Sequence, residues 1–137
     1  FASLARVQMD GGVPLASGEN LCTSIQFEQM LANDAVTFAQ PSVTKVGGIA
    51  EFVDVAGLCA LHGYELAPHS PYFGPGFVAT LHLAAHFGAR WIEKIYLELT
   101  EELFTDPLVF TAGTYEVPDA PGLGIALDWD RLAPYRL

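Results

Sequence analysis

The stretch AVTFAQPSVTKVGGIAEFVDVAGLCALHG (35–63) decides the fold class, because it reads as one strand followed by one helix. AVTFAQ (35–40) is a short apolar run, and a proline and a glycine-containing turn follow it. From residue 47 onward apolar side chains recur with a helical period, until Gly63 closes the pattern. The stretch therefore predicts a βα unit.

The same order recurs on both sides of this unit. VPLAS (13–17) precedes a helical pattern at 24–31, and YELAP (64–68) precedes another at 76–88. A fourth apolar run, WIEKIYLEL, covers 91–99. Strands that alternate with helices of this length predict an α/β fold with a parallel sheet.

The composition excludes several classes of partner. The chain has 137 residues, of which 16 are acidic and 6 are basic, so its formal charge is −10. Nucleic acid and anionic membranes both require basic patches, so we expect neither as a partner. Cys22 and Cys59 are the two cysteines, and their low number favours a reduced, cytoplasmic setting, although one disulfide remains open. No apolar run reaches the roughly 18 residues of a membrane span.

Polar residues stand at or near the carboxyl ends of the four predicted strands. They are Glu19, Ser42, His69 and Glu93, separated by steps of 23, 27 and 24 residues. In a (β/α)₈ barrel the residues at these ends converge on one mouth, where the active site lies. Four units make half of such a barrel, which typically needs about 250 residues. We therefore expect a piece of a longer chain.

Taken singly, these residues leave other interpretations open. Glu19 also suits a solvated loop or a charge near a helix N-terminus. Ser42 follows a proline and suits a turn or an N-cap, and His69 suits an ordinary loop histidine. Glu93 has Arg90 and Lys94 as possible ion-pair partners in its own segment.

Several segments together resemble a known family. PLASGEN, QPSVTKVGGIAE, LAPHSPYFGPG, WIEKIY and VPDAPGLGI are similar, in this order, to the C-terminal part of enolase-superfamily enzymes of the mandelate racemase type. The resemblance implies that residues 1–100 form the C-terminal half of a (β/α)₈ TIM-type barrel, strands 5–8. It implies that 101–137, rich in Pro, Gly and Asp with one strand near Thr114–Val117, form an irregular tail. The tail would pack on the barrel and on a capping domain outside this chain.

The resemblance also implies roles for the strand-end residues. Glu19 would be the third carboxylate ligand of an essential Mg²⁺, which stabilises the enediolate formed when an α-proton leaves the substrate. His69 would be the acid/base, and Glu93 would hydrogen-bond the substrate carboxylate. Members with a catalytic histidine usually carry an aspartate where this chain has Ser42, so the imidazolium receives less stabilisation here. The lysine motif and the two other ligand carboxylates would precede residue 1.

These roles predict a Mg²⁺-dependent enzyme that removes the α-proton of a hydroxy-carboxylate. We prefer an acid-sugar dehydratase, because Ser42 weakens a two-base mechanism. The alternatives are a racemase or epimerase of a 2-hydroxy acid, or a non-catalytic half-barrel. The expected partners are a hydroxy-acid or acid-sugar substrate, the N-terminal remainder of the same protein and further copies in a homo-oligomer. We expect the 137-residue piece alone to be inactive.

Overall fold

The computed structural model describes residues 1–136 and contains strands and helices in the predicted alternation through the first 87 residues. The helices are α1 (Ala2–Gly11), α2 (Ser24–Leu31), α3 (Ile49–His62), α4 (Pro75–Phe87) and α5 (Trp129–Leu132). The strands are β1 (Ala16–Ser17), β2 (Phe38–Ala39), β3 (Glu65–Leu66), β4 (Phe110–Thr111) and β5 (Thr114–Tyr115). A single 3₁₀ turn, Ala133–Tyr135, follows α5.

The first three strands form a parallel sheet in the order β1-β2-β3, as the sequence predicts. Phe38 of the central strand pairs with Ala16 on one side and with Glu65 on the other. Parallel pairing brings the carboxyl ends of all three strands to the same edge of the sheet. The residues that follow β1, β2 and β3 therefore become neighbours.

The fourth apolar run differs in extent from the predicted strand. Only Glu93 joins the sheet, through a parallel bridge with His69. Elsewhere in the run, Trp91 and Tyr96 are 61% and 92% exposed. In the described part of the chain this run has a pairing partner on one side only, so most of its backbone stays outside the ladder.

The helices α2 and α3 pack on each other and supply half of the buried residues of the hydrophobic core. On α3 the sequence predicts an apolar stripe that includes Ile49 and Val53, yet these side chains are 54% and 42% exposed. The buried face instead runs through Phe52, Val55, Ala56 and Cys59. At about 100° per residue those four positions share one side of the helix, whereas Ile49 and Val53 lie at its margin.

The two cysteines are both free thiols. Cys22 is exposed and Cys59 is buried in the core. Burial raises the pKa of the Cys59 thiol to about 11, so this group stays protonated and inert near neutral pH. Within residues 1–136 no helix combines the length and the apolar character needed to cross a membrane.

The tail is less irregular than the sequence predicts, because β5 pairs with β4 in an antiparallel hairpin. Ala112 and Gly113 form its two-residue turn, with φ angles of 52° and 82°. Positive φ at both positions is typical of a type I′ turn, which alanine seldom enters, so the sequence signal for β4 was weak. The hairpin contacts α4, where the rings of Phe77 and Tyr115 lie 5.0 Å apart.

Gly18, between β1 and Glu19, has a conformation and a location that exclude a side chain. Its φ is +122°, and a Cβ there would lie 2.7 Å from Cε1 of Phe27, which is fully buried. We expect Gly18→Ala to lower the free energy of unfolding by about 2 kcal/mol or more, since overpacking adds to backbone strain. Urea denaturation of the full-length protein measures this.

Gly57→Ala is the matched control. Gly57 lies in α3, and a Cβ added there would meet nothing within 4 Å beyond the backbone of its own helix. The change should therefore raise the free energy of unfolding by about 0.5–1 kcal/mol. Equal effects of the two substitutions would contradict the close packing of Gly18 on Phe27.

Candidate active site

Of the four residues predicted at strand ends, the structure brings Glu19, His69 and Glu93 together and places Ser42 on the far side of the His69 imidazole. Glu19 follows β1, Ser42 follows β2, His69 follows β3, and Glu93 lies in the bridge to His69. Glu19, His69 and Glu93 each offer one ligand atom, and these atoms lie within 4.8 Å of one another. Ser42 contacts the opposite side of the imidazole.

Glu19 has an electrostatic partner that its sequence neighbours do not provide. Its Oε2 lies 3.0 Å from Nε2 of His69, 50 residues further along the chain. Its Oε1 accepts a hydrogen bond from Nδ2 of Asn20 at 3.1 Å. The side chain is still 42% exposed, so the carboxylate is held in place and remains accessible to a ligand.

His69 is fixed on three sides. The residue is only 6% exposed, and its backbone N–H donates to the carbonyl oxygen of Pro41 at 3.2 Å. Its Nδ1 lies 2.7 Å from Oγ of Ser42, which is fully buried. The imidazole therefore spans from a buried hydroxyl to an exposed carboxylate, with Nε2 on the accessible side.

The Ser42 hydroxyl constrains which nitrogen of His69 carries a hydrogen. Oγ also lies 3.0 Å from the carbonyl oxygen of His69, where it is placed to donate. A hydroxyl has one hydrogen, so donation to this carbonyl makes Oγ the acceptor for Nδ1–H. In this arrangement Nε2 is the nitrogen that faces the carboxylate of Glu19. If Oγ of Ser42 donated to Nδ1 instead, the carbonyl oxygen of His69 would lose the Ser42 hydroxyl as its donor.

Glu93 is held by a residue that the sequence analysis missed. Gln40 follows β2 directly, and its Nε2 donates to Oε2 of Glu93 at 2.6 Å. Arg90 and Lys94, the ion-pair partners considered from the sequence, form no salt bridge with Glu93 among residues 1–136. A glutamine before a proline carries no local signal for this contact, because its partner lies 53 residues away.

The loop after His69 adds aromatic side chains beside the site. The ring of Tyr72 stands edge-on to the imidazole, with the ring centres 6.3 Å apart. Tyr72 and Phe73 line a cavity of about 360 Å³ together with Lys94, whose Nζ lies 5.7 Å from the centre of the Phe73 ring. The Tyr72 hydroxyl is buried without a hydrogen-bond partner in the part of the chain that the structure describes.

The donor set fits a hard divalent cation in part. Glu19 and Glu93 supply carboxylate oxygens, which Mg²⁺ prefers, and Mg²⁺ is commonly bound through one or two carboxylates with water and substrate completing its shell. The imidazole of His69 is a poor Mg²⁺ ligand. Because Nδ1 and Nε2 already have partners in Ser42 and Glu19, acid–base chemistry is the better use of this side chain.

A family model described as "Enolase C-terminal domain-like" matches residues 1–131. The chain is 32% identical over 125 residues to an arabinonate dehydratase from Saccharolobus solfataricus, covering 90% of this chain and 34% of that protein. It is 35% identical over 115 residues to an L-talarate/galactarate dehydratase from Salmonella typhimurium, covering 83% of this chain and 27% of that protein. The chain thus spans about a third or less of the length of these relatives.

A solved structure shows the same fold. L-Talarate dehydratase from Polaromonas sp. JS666, complexed with Mg and L-glucarate, superposes with a TM-score of 0.80 at 28% identity. The superposition covers 96% of this chain and 35% of that protein. An α/β part of an enolase-type barrel domain is therefore confirmed for this chain.

The buried hydroxyl of Ser42 can be tested through stability. Ser42→Ala removes the group that contacts both Nδ1 and the carbonyl of His69, and leaves buried polar atoms unpaired. We expect a loss of about 1–3 kcal/mol in the free energy of unfolding, measured by urea denaturation.

Ser70→Ala is the matched control, since Ser70 is also fully buried but its hydroxyl has one contact among the described residues, donating to the hydroxyl of Thr80 at 3.2 Å. This change should cost less, because Thr80 keeps its own bond to the carbonyl of Gly76. A Ser42→Ala cost no greater than that of Ser70→Ala would contradict the bridging role of Ser42.

Proposed function

Because the chain belongs to the enolase C-terminal domain-like family, we propose that the full-length protein is a Mg²⁺-dependent acid-sugar dehydratase. Residues 1–100 supply strands 5–8 of its barrel, and 101–137 pack on this barrel and on a capping domain. The remaining strands, the lysine motif and two more ligand carboxylates come from the rest of the protein. The names of the relatives support dehydration as the reaction.

The observation that carries the proposal is the convergence of Glu19, His69 and Glu93. Glu19 and His69 follow the strands β1 and β3, Glu93 lies in the bridge to His69, and their ligand atoms lie within 4.8 Å of one another. Two carboxylates beside a buried imidazole provide a metal ligand, a substrate contact and a proton donor in one place. This combination suits the elimination of water from a hydroxy-acid.

Glu19 is the proposed Mg²⁺ ligand of this chain. Its carboxylate is exposed enough to reach an ion, and Asn20 and His69 fix its orientation. When bound, Mg²⁺ supplies positive charge that offsets the negative charge developing on the substrate carboxylate as the α-proton leaves.

His69 is the proposed acid of the reaction. Elimination breaks the C–H bond next to the carboxylate and the C–O bond one carbon further. The α-proton would go to a base that the lysine motif in the rest of the protein supplies, and the oxygen leaves as water once it gains a proton. The Nε2–H of the imidazolium is that proton donor, since Nε2 is the nitrogen on the accessible side. Ser42 keeps the other hydrogen on Nδ1, so the ring returns to a single neutral tautomer after donation.

Glu93 is the proposed contact for the substrate carboxylate, and Tyr72, whose ring stands edge-on to His69, is the aromatic neighbour of the site. The substrate class is a hydroxylated carboxylic acid such as an aldonate or an aldarate. A chain with a net charge of −10 needs local positive charge to bind such an anion. The ion at Glu19 and the imidazolium of His69 meet this need. We also propose that the protein works as a homo-oligomer.

A substrate panel tests the reaction itself. Purified full-length protein with Mg²⁺ should convert an acid sugar into the corresponding 2-keto-3-deoxy acid, detected as a carbonyl product. His69→Asn should lower kcat by about 10²–10⁴-fold, the usual contribution of a general acid. In D₂O, exchange of the α-proton in both stereoisomers without net elimination would identify a racemase or epimerase instead. Absence of both reactions across the panel would favour a non-catalytic protein.

The metal assignment has its own test. Glu19→Gln keeps the size of the side chain and removes its charge, so Mg²⁺ affinity measured by isothermal titration calorimetry should fall by about 100-fold or more. Glu65→Gln is the control, because Glu65 is an exposed carboxylate at the start of β3, before the site edge of the sheet. Unchanged Mg²⁺ affinity in Glu19→Gln would refute the assignment.

A further inference from the structure

The side chain of Gln40 forms a cross-sheet contact to the site. Its Nε2 donates to Oε2 of Glu93 at 2.6 Å. Its backbone is also fixed, because the N–H donates to the carbonyl oxygen of Ser17 at 2.9 Å and Pro41 follows. Gln40 is therefore an anchored donor at the end of β2.

Glu93 needs such an anchor more than the other site residues do. Its N–H donates to the carbonyl of Pro68 at 2.9 Å, and its carbonyl accepts from the N–H of Ser70 at 2.8 Å. These two bonds fix its backbone only. Its side chain is exposed, and the residues on either side of it belong to no strand. Among residues 1–136, Gln40 provides the side-chain hydrogen bond found for this carboxylate.

The chemistry of an amide explains why a glutamine suits this position. The NH₂ group of Gln40 only donates, so Oε2 of Glu93 must be an acceptor and Oε1 remains for another partner. The amide is neutral and fixes the carboxylate without changing the charge of a site that already holds Glu19 and His69. A lysine here would add a cation, and a glutamate would add repulsion.

We propose that Gln40 is a positioning residue, which holds Oε2 of Glu93 so that Oε1 can share a proton with the carboxylate end of the substrate, since two fully ionised carboxylates would repel each other. The kinetic part of this proposal rests on the dehydratase function proposed above. The structural part, that Gln40 sets the orientation of the Glu93 carboxylate, does not depend on the reaction.

Gln40→Met tests the kinetic part in the full-length protein, since methionine has nearly the same length and no amide hydrogens. We expect KM for the acid sugar to rise by about tenfold, a loss typical of one hydrogen bond to a charged group, with kcat changed much less. Mg²⁺ affinity measured by calorimetry should stay within about twofold of the wild-type value. Gln29→Met, at an exposed position of α2, is the matched control and should change neither quantity.

A double-mutant cycle with Glu93→Gln separates positioning from a structural role. If Gln40 acts through Glu93, then Gln40→Met should have less than about a twofold effect on KM in the Glu93→Gln background. The same tenfold effect in both backgrounds would overturn the proposal. Parallel loss of kcat, Mg²⁺ affinity and thermal stability in Gln40→Met would also overturn it, because the residue would then merely support the fold.

Crystal structures of the wild type and of Gln40→Met test the structural part without any turnover. The proposal expects the Glu93 carboxylate to leave its wild-type orientation, or to adopt several, in the variant. An unchanged carboxylate would overturn the proposal. If the wild-type protein dehydrates no acid sugar, the proposed function fails, and these structures still decide the role of Gln40.

Discussion

One ladder of backbone hydrogen bonds determines where every site residue stands. The N–H of Gln40 donates to Ser17, the N–H of Ala67 donates to Ala39, and the N–H of His69 donates to Pro41. Each bond joins the end of one strand to the next, and the bridge to Glu93 continues the series. Because the side chains are attached to these bonded segments, the sheet edge brings them together, and side-chain contacts such as that of Gln40 with Glu93 then fix their orientation.

The helical and strand periods made the fold predictable, and parallel pairing made the meeting of Glu19, His69 and Glu93 predictable. Gln40 was beyond sequence reasoning, because an amide beside a proline resembles any turn residue until its distant partner is known. The strand β4 was not predicted, because the turn that joins it to β5 contains Ala112 at a positive φ, which alanine seldom adopts. The strand predicted at 91–99 is too long, since only Glu93 of this run forms a bridge. An apolar run indicates that a segment can join a sheet, but it does not show whether a neighbouring strand is present to pair with it.

The site also shows how an acidic chain arranges its charge. Of the six basic residues in the sequence, neither Arg90 nor Lys94 neutralises the nearby Glu93 through a salt bridge in the described residues. Side-chain amides contact both carboxylates instead: Asn20 donates to Glu19, which also contacts His69, and Gln40 donates to Glu93. Amides fix orientation and leave the negative charge available, which is the condition for attracting a cation to this edge of the sheet.

The packing of Gly18 on Phe27 links the interior of the protein to its chemistry. The ring occupies the volume that any side chain at position 18 would need, and position 19 carries the carboxylate of the site. The two positions are therefore coupled: a smaller residue at 27 would remove the clash with a side chain at 18, but the backbone strain of the positive φ at 18 would remain. A substitution at Phe27 in α2 will therefore change the packing around Gly18, and with it the segment that carries Glu19. A mutant library that varies the core of α2 should consequently vary positions 18 and 27 together.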